Sequence, residues 1–197
     1  MLLIKVIDVK KNFGQRILFE CKSLTFEKKG LYIIKGPNGC GKTTFLRMLF
    51  GKDKEYSGKI HNLFKKNIML PQQPYFFKGS VEYNLAIALS NESLKSAQEV
   101  LNMFGVPLKT NINQLSAGQR QLVSFLRAFY IPSDVLFLDE PDSFLDKEVK
   151  EFVYRLIEDE AQKRCIIVVT HYQGVALKGN VIYFENGQII KEGELYK

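Results

Sequence analysis

Histidine and cysteine are scarce in this chain: two of the first and three of the second among 197 residues. The thiols, Cys21, Cys40 and Cys165, are odd in number, far apart and without metal-ligand spacing. That excludes a disulfide framework and a zinc module, and it fits a reducing cytosol. Long apolar runs are missing too. Apolar blocks such as residues 135–138 and 166–169 have strand length, far short of the ~20 residues a membrane-crossing helix needs. Residues 1–9 carry Lys5 and Asp8 and lack a small-residue cleavage site, so they read as a strand and not as a signal peptide. There is no internal repeat and no low-complexity stretch. A composition of 46% hydrophobic and 25% charged residues is that of an ordinary globular domain, which excludes disordered and collagen-like chains. Acidic residues are the minority charge, 21 against 28 basic, for a net +7. The basic residues are scattered. Pairs such as Lys10-Lys11, Lys28-Lys29 and Lys65-Lys66 are a solvated lysine-rich surface and no nucleic-acid motif, so no nucleic-acid partner is expected.

The hydrophobic pattern predicts strands over residues 2–9, 17–26 and 31–35, then a helix over 42–50 closed by Gly51. Short strands follow at 59–60 and 68–70, with a loop bracketed by Pro71 and Pro74. Residues 80–104 hold Leu and Ala at helical spacing and read as one helical stretch, ended by Gly105 and Pro107. A helix over 119–130 stops before Pro132. Strand 135–138, helix 146–162 and strand 165–170 complete the core. Asn186-Gly187 predicts a tight turn between strands 181–185 and 188–191. The fold class is therefore α/β, with an antiparallel β region and a helical subdomain inserted at about 75–130, all within one domain spanning 1–197.

Gly36-Pro37-Asn38-Gly39-Cys40-Gly41-Lys42-Thr43 matches G-x-x-x-x-G-K-[ST] between a strand and a helix. Glycines let backbone N–H groups turn inward on phosphate oxygens. The helix N-terminus adds partial positive charge. Lys42 is placed for the β- and γ-phosphates and the Thr43 hydroxyl for Mg²⁺. About a hundred residues on, the apolar strand 135–138 runs into Asp139-Glu140. Alternate strand residues point to opposite sides, so the two acids are expected to serve different tasks. Asp139 would orient Mg²⁺ or its water. Glu140 would act as base toward an attacking water.

Leu115-Ser116-Ala117-Gly118-Gln119, continued by Arg120-Gln121, resembles the LSGGQ signature of ABC ATPases. Further matches lie in the family's order. Gln72 in Leu70-Pro71-Gln72-Gln73-Pro74 resembles the Q-loop glutamine; Gln73 competes for that position, and Pro74, two places after Gln72, favours Gln72. Ser143-Phe144-Leu145-Asp146 resembles the D-loop, and His171 the switch histidine. Phe13 sits where the family places an aromatic against adenine. The likeness runs from about residue 3 to 191. This chain departs from the pattern at Ala117, usually glycine, at Phe144, commonly alanine, and at Asp142, frequently threonine.

The resemblance implies a phosphate-loop core of ABC ATPase type that binds ATP and Mg²⁺. Its ATP-binding set would be Phe13, the loop from Gly36 to Thr43, Thr44, and Ser116, Gly118 and Gln119 from a facing subunit. Thr43, Gln72 and Asp139 would hold the metal; Glu140, Gln72 and His171 would serve catalysis. One chain has one set of motifs, so a homodimer or heterodimer of ATPase subunits is implied. The leading reading is the ATP-hydrolysing subunit of an ABC transporter, cytoplasmic and peripheral on the inner face of the cell membrane, driving a separate transmembrane permease. The alternative is a soluble ABC ATPase that drives assembly or remodelling of a protein complex. A nucleotide-gated module without hydrolysis is disfavoured by Glu140 and His171.

Overall fold

The computed structural model describes residues 3–171 and 177–191 of the chain. Three strands set the architecture: β3 (Gly30–Lys35), β6 (Val135–Asp139) and β7 (Cys165–Val169). Each is a nearly unbroken run of apolar residues, the signature of a parallel strand covered on both faces. They pair in parallel, Leu31 opposite Ile166 and Leu136 opposite the same residue. β5 (Asn67–Leu70) extends this half on one side and β8 (Asn180–Glu185) on the other.

The pleat splits the side chains between two cores. Leu31, Ile33, Leu136, Leu138, Ile166 and Val168 face one way. They pack against α2 (Val81–Ala86), α3 (Asn91–Met103), α4 (Ala117–Phe129) and α5 (Lys147–Ala161). Tyr32, Ile34, Phe137, Ile167 and Val169 face the other way, onto Phe45, Leu46 and Leu49 of α1 (Lys42–Phe50). Beyond α1 lie β1 (Ile4–Phe13), β2 (Arg16–Phe26) and β4 (Ser57–Asn62), which are antiparallel and close that second core with Ile4, Val6, Phe19 and Phe26. With β9 (Gln188–Lys191), the described residues form one nine-stranded sheet in the order β4-β1-β2-β9-β8-β3-β7-β6-β5. The expected turn is in place: Asn186 and Gly187 take φ 49° and 76° and join β8 to β9.

Two elements differ from the sequence expectation. β1 does not stop at Val9 but runs on through Lys10-Lys11-Asn12 to Phe13. Lys11 is only 7% exposed; its ammonium bonds both Asp53 carboxylate oxygens, at 2.8 and 2.9 Å, and the Glu55 carbonyl at 2.7 Å. A distant partner thus makes a lysine tolerable in a buried strand position. The stretch 80–104 is two helices and not one. Ser80 Oγ accepts from the Tyr83 N–H and caps α2, while Ser90 Oγ accepts from Ser93 and caps α3. An N-cap serine is worth about 1 kcal/mol. At Ser90 it starts a new helix inside a pattern whose apolar spacing continues across the break.

Candidate active site

The chain from β3 enters α1 through the loop Gly36 to Gly41. Gly41, at φ 106°, is the N-cap of α1 and supplies no side-chain cap. A Cβ there would lie 2.7 Å from the Phe19 ring, so the left-handed turn and the tight packing both require glycine. The first N–H groups of α1 therefore remain for an anion. Lys42 is 6% exposed and folds back into the loop, donating to the Gly36 and Pro37 carbonyls at 2.9 and 2.8 Å. This holds its ammonium at the mouth of the cradle.

Thr43, next on α1, donates its hydroxyl to Asp139 Oδ1 at 2.9 Å. That bond ties the loop to the end of β6. Asp139 is fully buried, burial pushes its carboxyl above the usual range, and its second oxygen, Oδ2, has no hydrogen-bond partner among the described residues. A buried carboxylate oxygen without a partner, beside a threonine hydroxyl, fits a hard divalent cation that takes oxygen ligands.

Glu140 diverges from Asp139 as expected, but not through the strand pleat. β6 ends at Asp139, and Glu140 takes φ 50°, a left-handed conformation uncommon for a residue with a side chain. Three hydrogen bonds impose it. The Glu140 N–H donates to the Val169 carbonyl at 2.9 Å; its carbonyl accepts from the Gln121 side chain at 3.1 Å and from the Ser143 N–H at 3.2 Å. The carboxylate is then surrounded by predicted site residues. Gln72 Nε2 donates to Oε2 at 3.1 Å, and His171 Nε2 stands 3.7 Å from Oε1. Gln72, not Gln73, supplies this amide. Ser143 adds a hydroxyl to Oε2 at 3.2 Å. Gln121 and Ser143 are contributors that motif reading left without a task. The signal for Gln121 was weak: it is 3% exposed on α4, a polar residue in a mostly apolar run that also buries Ser124.

The signature residues form the start of α4. The helix begins at Ala117, two residues before the start at 119 that the sequence predicts. Ser116 and Gln119 make a reciprocal capping box, with Ser116 Oγ accepting from the Gln119 N–H at 3.1 Å and Gln119 Oε1 from the Ser116 N–H at 3.0 Å. Gly118 is required by contact: a Cβ on it would sit 2.6 Å from the Phe144 carbonyl oxygen. Ala117 is accommodated within the helix.

A cleft of about 390 Å³ lies against the phosphate loop, lined by Pro37, Asn38, Gly39 and Cys40 on one side and Arg16 and Phe184 on others. Phe13 pairs with Arg16 at the tip of the β1–β2 hairpin and is 81% exposed. A separate cavity of about 800 Å³ adjoins the signature residues. It shares no lining residue with the phosphate-loop cleft.

The thiols give a check on the cleft. Cys21 and Cys165 are buried, and burial pushes the Cys165 thiol up to about 12. Cys40 is half-buried and lines the cleft. A maleimide is expected to add once to the native chain, at Cys40, and ATP to slow the addition. Intact-mass analysis of the chain and of Cys40→Ser checks this; a single adduct persisting in Cys40→Ser contradicts it.

Fold and site together define a class, the phosphate-loop nucleotide-binding proteins, and the signature at residues 115–119 narrows it. Residues 20–143 match the family model described as ABC transporter, and the chain belongs to that family as one of its ATP-binding proteins. It is 33% identical over 205 residues to the tungstate uptake system ATP-binding protein TupC of Peptoclostridium acidaminophilum, covering 94% of this chain and 96% of the relative. It is 30% identical over 224 residues to the phosphate import ATP-binding protein PstB of Mycobacterium intracellulare, covering 97% and 79%. Among solved structures, a bacterial Atm1-family ABC exporter with ATP bound superposes with a TM-score of 0.84 at 19% identity, a likeness of fold. The match covers 96% of this chain and 38% of that one. No helix among the described residues is long and apolar enough to cross a membrane.

Proposed function

We propose that this chain is the Mg²⁺-dependent ATP-hydrolysing subunit of an uptake transporter, working as a dimer beneath a separate membrane permease. The observation that carries hydrolysis is the Glu140 carboxylate, held by Gln72 and Ser143 and faced by His171 at the strand end beside the phosphate loop. ATP is the substrate. The loop and the first turn of α1, including Thr44, hold its phosphates; Lys42 neutralises charge; Phe13 offers an exposed ring for adenine stacking. Thr43 and Asp139 would hold Mg²⁺, with Gln72 as a further ligand from its loop, and the cation would supply charge stabilisation of the phosphoryl group. Glu140 accepts the proton of the attacking water, and His171 adds a donor beside the same carboxylate.

The permease reading rests on a groove of about 420 Å³ between the core and the helical insert, lined by Met69, Pro71, Pro74, Tyr75 and Arg127. Tyr75 at its edge is 70% exposed. The Gln72 loop runs through this region, so a partner seated there would contact the segment that carries Gln72 to Glu140. Uptake as the direction is supported by the names of the two curated relatives. The test is purification of the tagged chain from detergent-solubilised membranes of its own cell. A hydrophobic partner chain in stoichiometric amount, and ATPase activity abolished by EDTA, are expected. Recovery only with a soluble protein complex favours the assembly ATPase instead.

A further inference from the structure

Behind the Glu140–His171 pair lies a buried chain of three side chains that motif reading did not connect. Tyr154 of α5 is fully buried, Thr170 is 1% exposed and Asp142 is 9% exposed. Thr170 Oγ1 lies 3.1 Å from Asp142 Oδ1 and 2.5 Å from the Tyr154 hydroxyl. A carboxylate only accepts, so Thr170 donates to Asp142, and Tyr154 therefore donates to Thr170. The direction of both bonds follows from the chemistry of one group.

The placement of this chain matters. Asp142 is two residues past Glu140, and Thr170 directly precedes His171. The backbone already joins the two segments once, through the Glu140 N–H and the Val169 carbonyl. Asp142–Thr170 is a second tie between the same two segments. β7 ends at Val169, and among the described residues no strand pairing extends to His171. Glu140, in its left-handed conformation, is fixed independently by Gln121 and Ser143.

We propose that Asp142 is a positioning residue which, through Thr170, holds His171 at the Glu140 carboxylate. Tyr154 anchors Thr170 from the helix behind. A buried carboxylate is costly unless hydrogen-bonded, and here Oδ1 accepts from the residue that directly precedes the histidine. The inference rests on the hydrolysis reading, so its test has one readout that needs no turnover.

That readout is the histidine imidazole NMR spectrum, simple because the chain has only His61 and His171. In Asp142→Ala and in Thr170→Val, the His171 resonances are expected to shift while those of His61, on β4, stay. In turnover, both variants are expected to lose about 10- to 100-fold in kcat, the scale of a misplaced group, with KM for ATP unchanged. Asp142→Asn, whose amide oxygen still accepts, is expected to retain most activity. The Asp142→Ala/Thr170→Val pair should be no worse than either single change, because both break the same bond. Should Asp142→Ala fail to fold, Thr170→Ser against Thr170→Val decides: serine keeps the hydroxyl and should keep kcat. Variants with a lowered Tm but wild-type kcat and an unmoved His171 resonance overturn the inference and leave hydrolysis standing. A wild-type chain without ATPase activity overturns the hydrolysis reading, and the positioning role with it.

Discussion

Glu140→Gln is expected to bind ATP as the parent does and to hydrolyse it about 10²- to 10⁴-fold more slowly, the range lost when a positioned general base is removed. The substitution keeps every contact but one. Gln72 and Ser143 both donate to a side-chain oxygen, and an amide oxygen can still accept both, though more weakly than a carboxylate. The backbone bonds that hold residue 140 at φ 50° do not involve the side chain. What disappears is the ability to take a proton from water. Single-turnover hydrolysis measured beside equilibrium ATP binding separates the two effects. A Glu140→Gln chain that turns over within threefold of the parent removes Glu140 from the role of base.

The phosphate loop, the acid pair and the signature were legible because each is a local property. A glycine loop needs only its own residues to turn, and strand 135–138 declares itself by continuous apolarity. The two cores were implicit in the same runs, since alternate residues of a doubly covered strand must face opposite ways. What the sequence hid depends on partners far along the chain. Lys11 looks like the end of a strand until Asp53 neutralises it, 42 residues away. Glu140 looks like the next position of a pleat until Gln121 and Val169 bend it into the left-handed region. Ser90 is a cap signal outweighed by apolar spacing that continues through the break. The Asp142–Thr170 bond joins residues 28 apart, and a departure from the family pattern at Asp142 gave no hint that its partner precedes the histidine.

The second large effect concerns whether one chain completes its own site. The phosphate-loop cleft and the cavity beside the signature share no lining residue, so Ser116 and Gly118 do not line the loop's cleft in their own chain. On the dimer proposed above, a facing copy would supply those groups. Lys42→Ala removes the charge held by the Gly36 and Pro37 carbonyls. Ser116→Arg destroys the capping box at the start of α4 and puts a long side chain where a phosphate should approach. Each homodimer carries its lesion in both sites and is expected to be inactive. In a heterodimer of the two variants, one site combines both lesions and the other combines an intact loop with an intact signature. Mixing the variants should therefore restore roughly a quarter of parental turnover, given random exchange in a symmetric dimer. Sites completed within one chain predict no recovery, because every site would still hold one lesion. Two different affinity tags, pulled down together, establish that exchange has taken place. Exchange without recovery places both halves of the site in one chain, or requires that both sites of a dimer fire. A heterodimer of the parent with Lys42→Ala decides between these: half activity per dimer leaves only the single-chain site, and none leaves the obligate pair.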